Sequence, residues 1–205
     1  MNTEQPETET VVPDQDTGTQ PLLSVQDLQT YFFTDEGTVK AVDGASFEVH
    51  AGKTLGIVGE SGCGKSITAR SILQIIDRPG QIVGGQVKFS PNGVDGLNLL
   101  DLEPNGKEIR SIRGGEISMI FQEPMTSFSP VHTFGNQIIE AIRLHSSLEQ
   151  KEAYDLAVDW MRRVGIPSPE QRMSEYAYQF SGGQRQRAMI AMALCTEPSI
   201  LIADE

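Results

Sequence analysis

The apolar positions of this chain change their spacing twice, and the changes mark its parts. Residues 22–28 and 41–49 read as short strands, the second with Ala45, Phe47 and Val49 at a period of two. Residues 54–58 form a compact apolar run that ends in glycine and reads as a buried strand. Residues 67–76 read as a helix closed by Arg78-Pro79-Gly80. Residues 86–89 and 117–121 are further strands. The stretch between them, 92–113, is loop-rich with a short helical piece around Leu99–Leu102.

After Pro130 the period becomes helical. In residues 151–164, Ala153, Leu156, Ala157, Trp160, Met161 and Val164 make one apolar stripe, while Glu152, Asp155, Asp159 and Arg163 face water. Trp160 and Met161 are therefore assigned to core packing. Ser146 with Glu149 predicts a capping box, and Gly165 followed by Pro167 predicts the stop. Residues 133–178, roughly 130–180 with their flanks, read as a helical subdomain inserted between two halves of an α/β core. Residues 183–194 form another helix and 200–203 a buried strand, and there is no internal repeat.

Composition narrows the class. Residues 1–20 carry five carboxylates, no Lys or Arg and little to bury, so they are expected to be a disordered acidic tail ahead of a domain spanning 21–205. The formal net charge of −12 is the wrong sign for a protein that lives on nucleic acid, so no nucleic-acid partner is expected. The longest apolar run, Ala188 to Cys195, has eight residues, too few to span a bilayer. There is no basic flank with an apolar core at the N-terminus. Cys63 and Cys195 suit a reducing compartment with no disulfide framework. These bounds predict a soluble, acidic, cytoplasmic protein.

Three motifs carry chemistry. Gly59-Glu60-Ser61-Gly62-Cys63-Gly64-Lys65-Ser66 lies between an expected strand and an expected helix. Glycines there let backbone N–H groups wrap phosphate oxygens, and the helix adds its positive end. Lys65 is placed to reach the β- and γ-phosphates, and the Ser66 hydroxyl to ligate Mg²⁺; Gly59, Ser61, Gly62, Cys63, Gly64 and Ile67 complete the nucleotide-binding set. Residues 200–205 run four apolar residues into Asp204-Glu205, which delivers two carboxylates to a sheet edge. Asp204 fits a Mg²⁺ ligand and Glu205 a general base. Phe180 to Arg187, FSGGQRQR, opens a helix with a serine cap and two glycines, a second anion site. His50, His132 and His145 have no metal-ligand spacing.

The third motif resembles the LSGGQ signature of ATP-binding-cassette ATPases, with Phe180 in the place of leucine. Phe121-Gln122 after a strand looks like the Q-loop of that family, and Phe32, 33 residues before Lys65, sits where its adenine-stacking aromatic does, with Tyr31 as the alternative. The runs AVDGASFEV, GIVGESGCGKS, RGGEISMIFQEPMTSFSPV and QFSGGQRQRAMIAMALCTEPSILIADE are similar to the dipeptide/oligopeptide importer branch. The resemblance implies a P-loop NTPase core with an N-terminal antiparallel β region. It also implies an ATPase subunit at the cytoplasmic face of the cell membrane, bound to permease subunits and fed indirectly by an extracellular solute-binding protein. Its cofactors are ATP and Mg²⁺. In such ATPases two subunits, alike or different, pair head to tail. Ser181, Gly182, Gly183 and Gln184 would then contact the partner's nucleotide. Gln122 would contact Mg²⁺ or the attacking water, and residues 123–131 would be the surface that couples to the permease.

The family pattern continues past its Walker B strand with a Ser-Ala-Leu-Asp-like loop and a further strand bearing a switch histidine, and the sequence stops at Glu205. The expectation is a fragment of a longer protein whose last strands are missing and which hydrolyses ATP poorly alone, with a non-hydrolytic nucleotide-binding chain as the alternative. DNA-repair and translation-associated ATPases of the same superfamily share the motifs. The first is disfavoured by the short, cysteine-poor stretch from Gln122 to Ser181, the second by the importer-like 123–127 run.

Overall fold

The computed structural model describes residues 20–91, 96–123 and 127–204. Nearly all of the expected acidic tail, the middle of the 123–127 run, and Glu205 lie outside the described residues. β1 (Leu23–Thr34) pairs antiparallel with β2 (Gly37–Val49) on one edge and β3 (Gly80–Phe89) on the other. β4 (Leu97–Asn98) completes a sheet of order β2-β1-β3-β4.

β3 begins six residues earlier than its apolar pattern suggested. The strand passes a crossing point at Gly84-Gly85: β1 bulges there, with Asp27 at φ +50, and Gly85 (φ +97) lies against the Asp27 carbonyl and Leu28 Cα, where a Cβ would collide.

α1 (Lys65–Ile72) packs on β1, and the Thr30 and Ser71 hydroxyls share a buried 2.8 Å hydrogen bond. The helix ends before the expected Ile76 because Gln74 turns left-handed (φ +51) and the Ile75 amide donates back to the Arg70 carbonyl. Arg113 then caps the open end, its Nε donating to the Leu73 carbonyl (2.6 Å) and its terminal nitrogen to that of Gln74 (2.9 Å). The loop-rich 92–113 stretch holds a 3-10 turn, Leu99–Asp101, and a short α2 (Lys107–Ile112) that buries Ile109 and Ile112.

β5 (Ile117–Ile120) and β6 (Ile200–Ala203) form a parallel pair, Ile117 opposite Ile200. Between them the chain makes a helical lobe: α3 (Phe134–His145), α4 (Gln150–Arg163), α5 (Pro169–Arg172), a 3-10 turn Ala177–Gln179, and α6 (Gly182–Leu194). The lobe has its own core, with Phe134, Ile138, Ala153, Ala157 and Met161 fully buried. A second core joins β1, β3, α1, α2 and β5, and Phe121 packs against both. Trp160 packs at the lobe's margin under the Arg163 guanidinium, 5.0 Å from the ring centre.

Two expectations are corrected. The capping box of α4 is Glu149 with Glu152, whose carboxylate accepts from the Glu149 amide at 3.0 Å; Ser146 instead closes α3, its hydroxyl donating to the Ile142 carbonyl. Residues 54–58 pair with no strand among the described residues. Their run is that of a strand covered on both faces. Among the described residues no strand pairs with either of its edges, and Leu55, Ile57 and Val58 are 41%, 49% and 92% exposed.

Candidate functional site

The glycine-rich loop turns on Gly62 (φ +83) and Gly64 (φ +93). Gly64 abuts the Ala41 carbonyl and Val42 of β2, so any side chain there would meet backbone. Its carbonyl accepts from the Thr68 amide (2.8 Å) and hydroxyl (2.9 Å), starting α1. The amides of Gly64, Lys65, Ser66 and Ile67 have no hydrogen-bond acceptor among the described residues, an open helix N-terminus suited to an anion. Lys65 Nζ donates to the carbonyls of Gly59 (2.7 Å) and Glu60 (2.8 Å), which folds the ammonium over the loop. Cys63 is exposed, its Sγ 3.7 Å from that nitrogen.

At the foot of the loop the Ser66 hydroxyl donates to Asp204 Oδ1 at 2.8 Å. Two things place Asp204 there: the β5–β6 ladder, and its amide donating to the Ile120 carbonyl at 3.0 Å. These are hard oxygen donors of the kind Mg²⁺ takes, and they fit a cation held mainly by phosphate oxygens and water. Among the described residues no group of three or more His, Cys, Asp or Glu side chains gathers to hold a metal by itself. Gln122 stands two residues past the end of β5, at the same end of the strand pair as Asp204. Phe32 stands opposite Gly80 on β3, with its ring against that glycine. Tyr31 is bound by its hydroxyl to Asp43 (2.5 Å), whose carboxyl is held below the usual range by that bond and by Lys40.

The FSGGQ motif sits on the helical lobe. Phe180 is 3% exposed, packed against Phe134 at 5.7 Å between ring centres, with Arg172 over its face. That anchor fixes Ser181, the N-cap of α6: its hydroxyl accepts from the Gln184 amide (3.3 Å) and its amide donates to Gln184 Oε1 (2.9 Å). Ser181, Gly182 and Gly183 are exposed. Within the described residues no hydrogen bond or ion pair joins them to residues 59–67, so the two glycine-rich motifs stand as separate parts of the chain. Sequence reasoning missed Arg113 and the Ala41–Val42 backstop; neither has a local signal, because both act through backbone carbonyls distant in sequence.

A glycine-rich loop opening a helix, with a serine–aspartate pair at the end of a parallel strand pair, defines a phosphate-loop nucleotide-binding fold. More narrowly, the chain belongs to the ABC transporter family, which it matches over residues 42–205. It is 50% identical over 185 residues to a "Probable peptide ABC transporter ATP-binding protein y4tR" of Sinorhizobium fredii, covering 90% of this chain and 53% of that protein. It is 47% identical to the "Dipeptide transport ATP-binding protein DppD" of Bacillus subtilis, with the same coverage. The chain thus spans about half the length of these curated relatives. Its fold is similar to that in "Dimeric Structure of MJ0796, a Bacterial ABC Transporter Cassette", with a TM-score of 0.75 and 22% identity over 88% of this chain and 72% of that one.

Proposed function

We propose that this chain is the ATP-binding part of an importer subunit that couples ATP binding and hydrolysis to uptake of peptides through membrane permeases. The observation that carries the reading is the Ser66–Asp204 hydrogen bond at the foot of the Lys65 loop, which joins the two motifs that a nucleotide-bound cation requires. The peptide cargo rests on the printed names of the relatives.

In this mechanism the amides at the start of α1 and the Lys65 ammonium hold the β- and γ-phosphates, and Phe32 stacks on the adenine. Ser66, Asp204 and Gln122 would hold Mg²⁺, which when bound neutralises charge between the β- and γ-phosphates. Glu205 takes the proton of the attacking water, which Gln122 orients. Ser181 to Gln184 of a second ATPase subunit close over the γ-phosphate in a head-to-tail pair. The permease docks along residues 123–131, where Val131 is 73% exposed. Beside that surface a cavity of about 330 Å³ opens between the two cores, lined by Phe121, Ser127, Ala141 and His145. No helix among the described residues is long and apolar enough to cross a membrane, consistent with a subunit peripheral to the cytoplasmic face.

Lys65→Ala removes charge-assisted bonds and lowers ATP affinity at least about tenfold. Cells lacking the gene should lose uptake of a labelled dipeptide, and the wild-type gene but not Lys65→Ala should restore it. Unchanged uptake in the deletion strain would sink the peptide assignment; tight ATP binding by Lys65→Ala would sink the site.

A further inference from the structure

Just before the FSGGQ motif, the rings of Tyr176 and Tyr178 lie 10° from parallel with centres 5.4 Å apart. Tyr178 is nonetheless 61% exposed, more than a ring covered on both faces could be. The backbone beneath it is held at several points. The Tyr176 amide donates to Gln179 Oε1 (2.8 Å), the Gln179 amide to the Tyr176 carbonyl (2.9 Å), and the Phe180 amide to the Ala177 carbonyl (3.2 Å). Thr133 bridges Tyr176 from the start of α3. The stack is therefore a fixed element with one open aromatic face. The chain that follows it also departs from the net charge of −12: no carboxylate lies between Glu175 and Glu197, whereas Arg185 and Arg187 stand on the first turns of α6.

We propose that the open face of Tyr178 receives the base of the nucleotide held in the partner subunit's glycine-rich loop. The inference rests on the head-to-tail pairing above. Tyr178 stands three residues before Ser181, a reach of at most about 10 Å, which is the scale separating the base of a nucleoside triphosphate from its last phosphate. With the γ-phosphate at the Ser181 end of α6, the base of the same nucleotide comes within range of the stack. A preformed aromatic pair adds a third ring without reordering its own side chains. Base contact then strengthens association of the two subunits and leaves the first capture of nucleotide to the cis loop.

The test uses the complete subunit with its ATPase partner, reading ATP affinity of the lone subunit and ATP-driven association separately. Tyr178→Ala should weaken association about tenfold while the lone subunit's ATP affinity holds, and Tyr178→Phe, which keeps the ring, should restore it. Unchanged association in Tyr178→Ala overturns the proposal, as does a loss confined to the lone subunit's affinity. Ser181→Ala run in parallel separates the two readings. If Ser181→Ala weakens association and Tyr178→Ala does not, only the stacking proposal fails. If neither does, the head-to-tail reading fails with it.

Discussion

Helix α4 and residues 54–58 are both read from the sequence as elements with apolar faces to bury, and they meet opposite fates. In α4, Ala153, Ala157 and Met161 lie fully buried within a lobe closed around Phe134 and Ile138. In residues 54–58, Leu55, Ile57 and Val58 stay exposed, and no ladder forms among the described residues. A helix satisfies its own backbone and needs only one covered face, whereas a central strand needs neighbours on both edges and cover on both sides. An apolar pattern therefore states a demand for burial, and the type of element decides how much of the rest of the molecule must be present to meet it.

The sharpest probe of this contrast uses the two thiols. Cys195 is buried at the end of α6, and burial pushes its thiol up to about 12; Cys63 is exposed in the glycine-rich loop. Alkylation of the native protein should label Cys63 and spare Cys195 by about a thousandfold or more, since Cys195 reacts only from opened molecules. Comparable labelling rates would mean that the lobe is not sealed. Next in size, Phe134→Ala should cost about 3–5 kcal/mol in denaturant unfolding, while Val58→Ser should stay within about 0.5 kcal/mol. A large cost at Val58 would show that the 54–58 run is covered after all.

A smaller effect separates the caps. Glu152→Ala should cost about 1 kcal/mol by opening the α4 capping box, and Ser146→Ala should leave the start of α4 intact, which amide exchange at Gln150 to Ala153 would report. The smallest is a pH slope. Burial holds His145, packed on Gly114 and Gly115 at the joint of lobe and core, below its ordinary value near 6.5. The unfolded chain then takes up the proton first, so this contribution is present above about pH 6.5 and is lost as pH falls toward the folded-state value. Unfolding midpoints at pH 7.5 and 5.5 should differ less in His145→Gln than in the wild type.

The contiguous motifs were more legible in the sequence than the distant contacts that position them. The loop at 59–66, the Asp204 strand and the Ser181 cap are each contiguous, so their residue types and spacing survive without knowledge of the fold. The same holds for the α4 stripe. What escaped is made of parts distant in sequence or too short for a period to show. β3 hid behind Gly84-Gly85 because the bulge that needs those glycines lies on β1. α2 has six residues and two buried apolar positions, below what periodicity resolves. Arg113 serves two carbonyls some 40 positions away. The Glu149–Glu152 box was missed because Ser146 offers a better-looking cap until its hydroxyl is seen engaged with α3.

The meeting of Ser66 with Asp204 also ties the nucleotide loop to the folding of the lobe. These residues stand 138 apart in the chain, and the strand pair that aligns them, β5 with β6, is interrupted by the whole lobe. Closing so long a coil is entropically slow to reward. A lobe that collapses around Phe134 and Met161 beforehand turns most of that coil into a compact spacer and brings the two strand ends near each other. On the ribosome, Ser66 emerges early and Asp204 only after the lobe has been synthesised, so this hydrogen-bonded pair cannot form before the lobe has been made. A nascent chain whose lobe has misfolded then has no compact spacer to bring Ser66 and Asp204 together, and their meeting becomes a readout of the lobe's own folding.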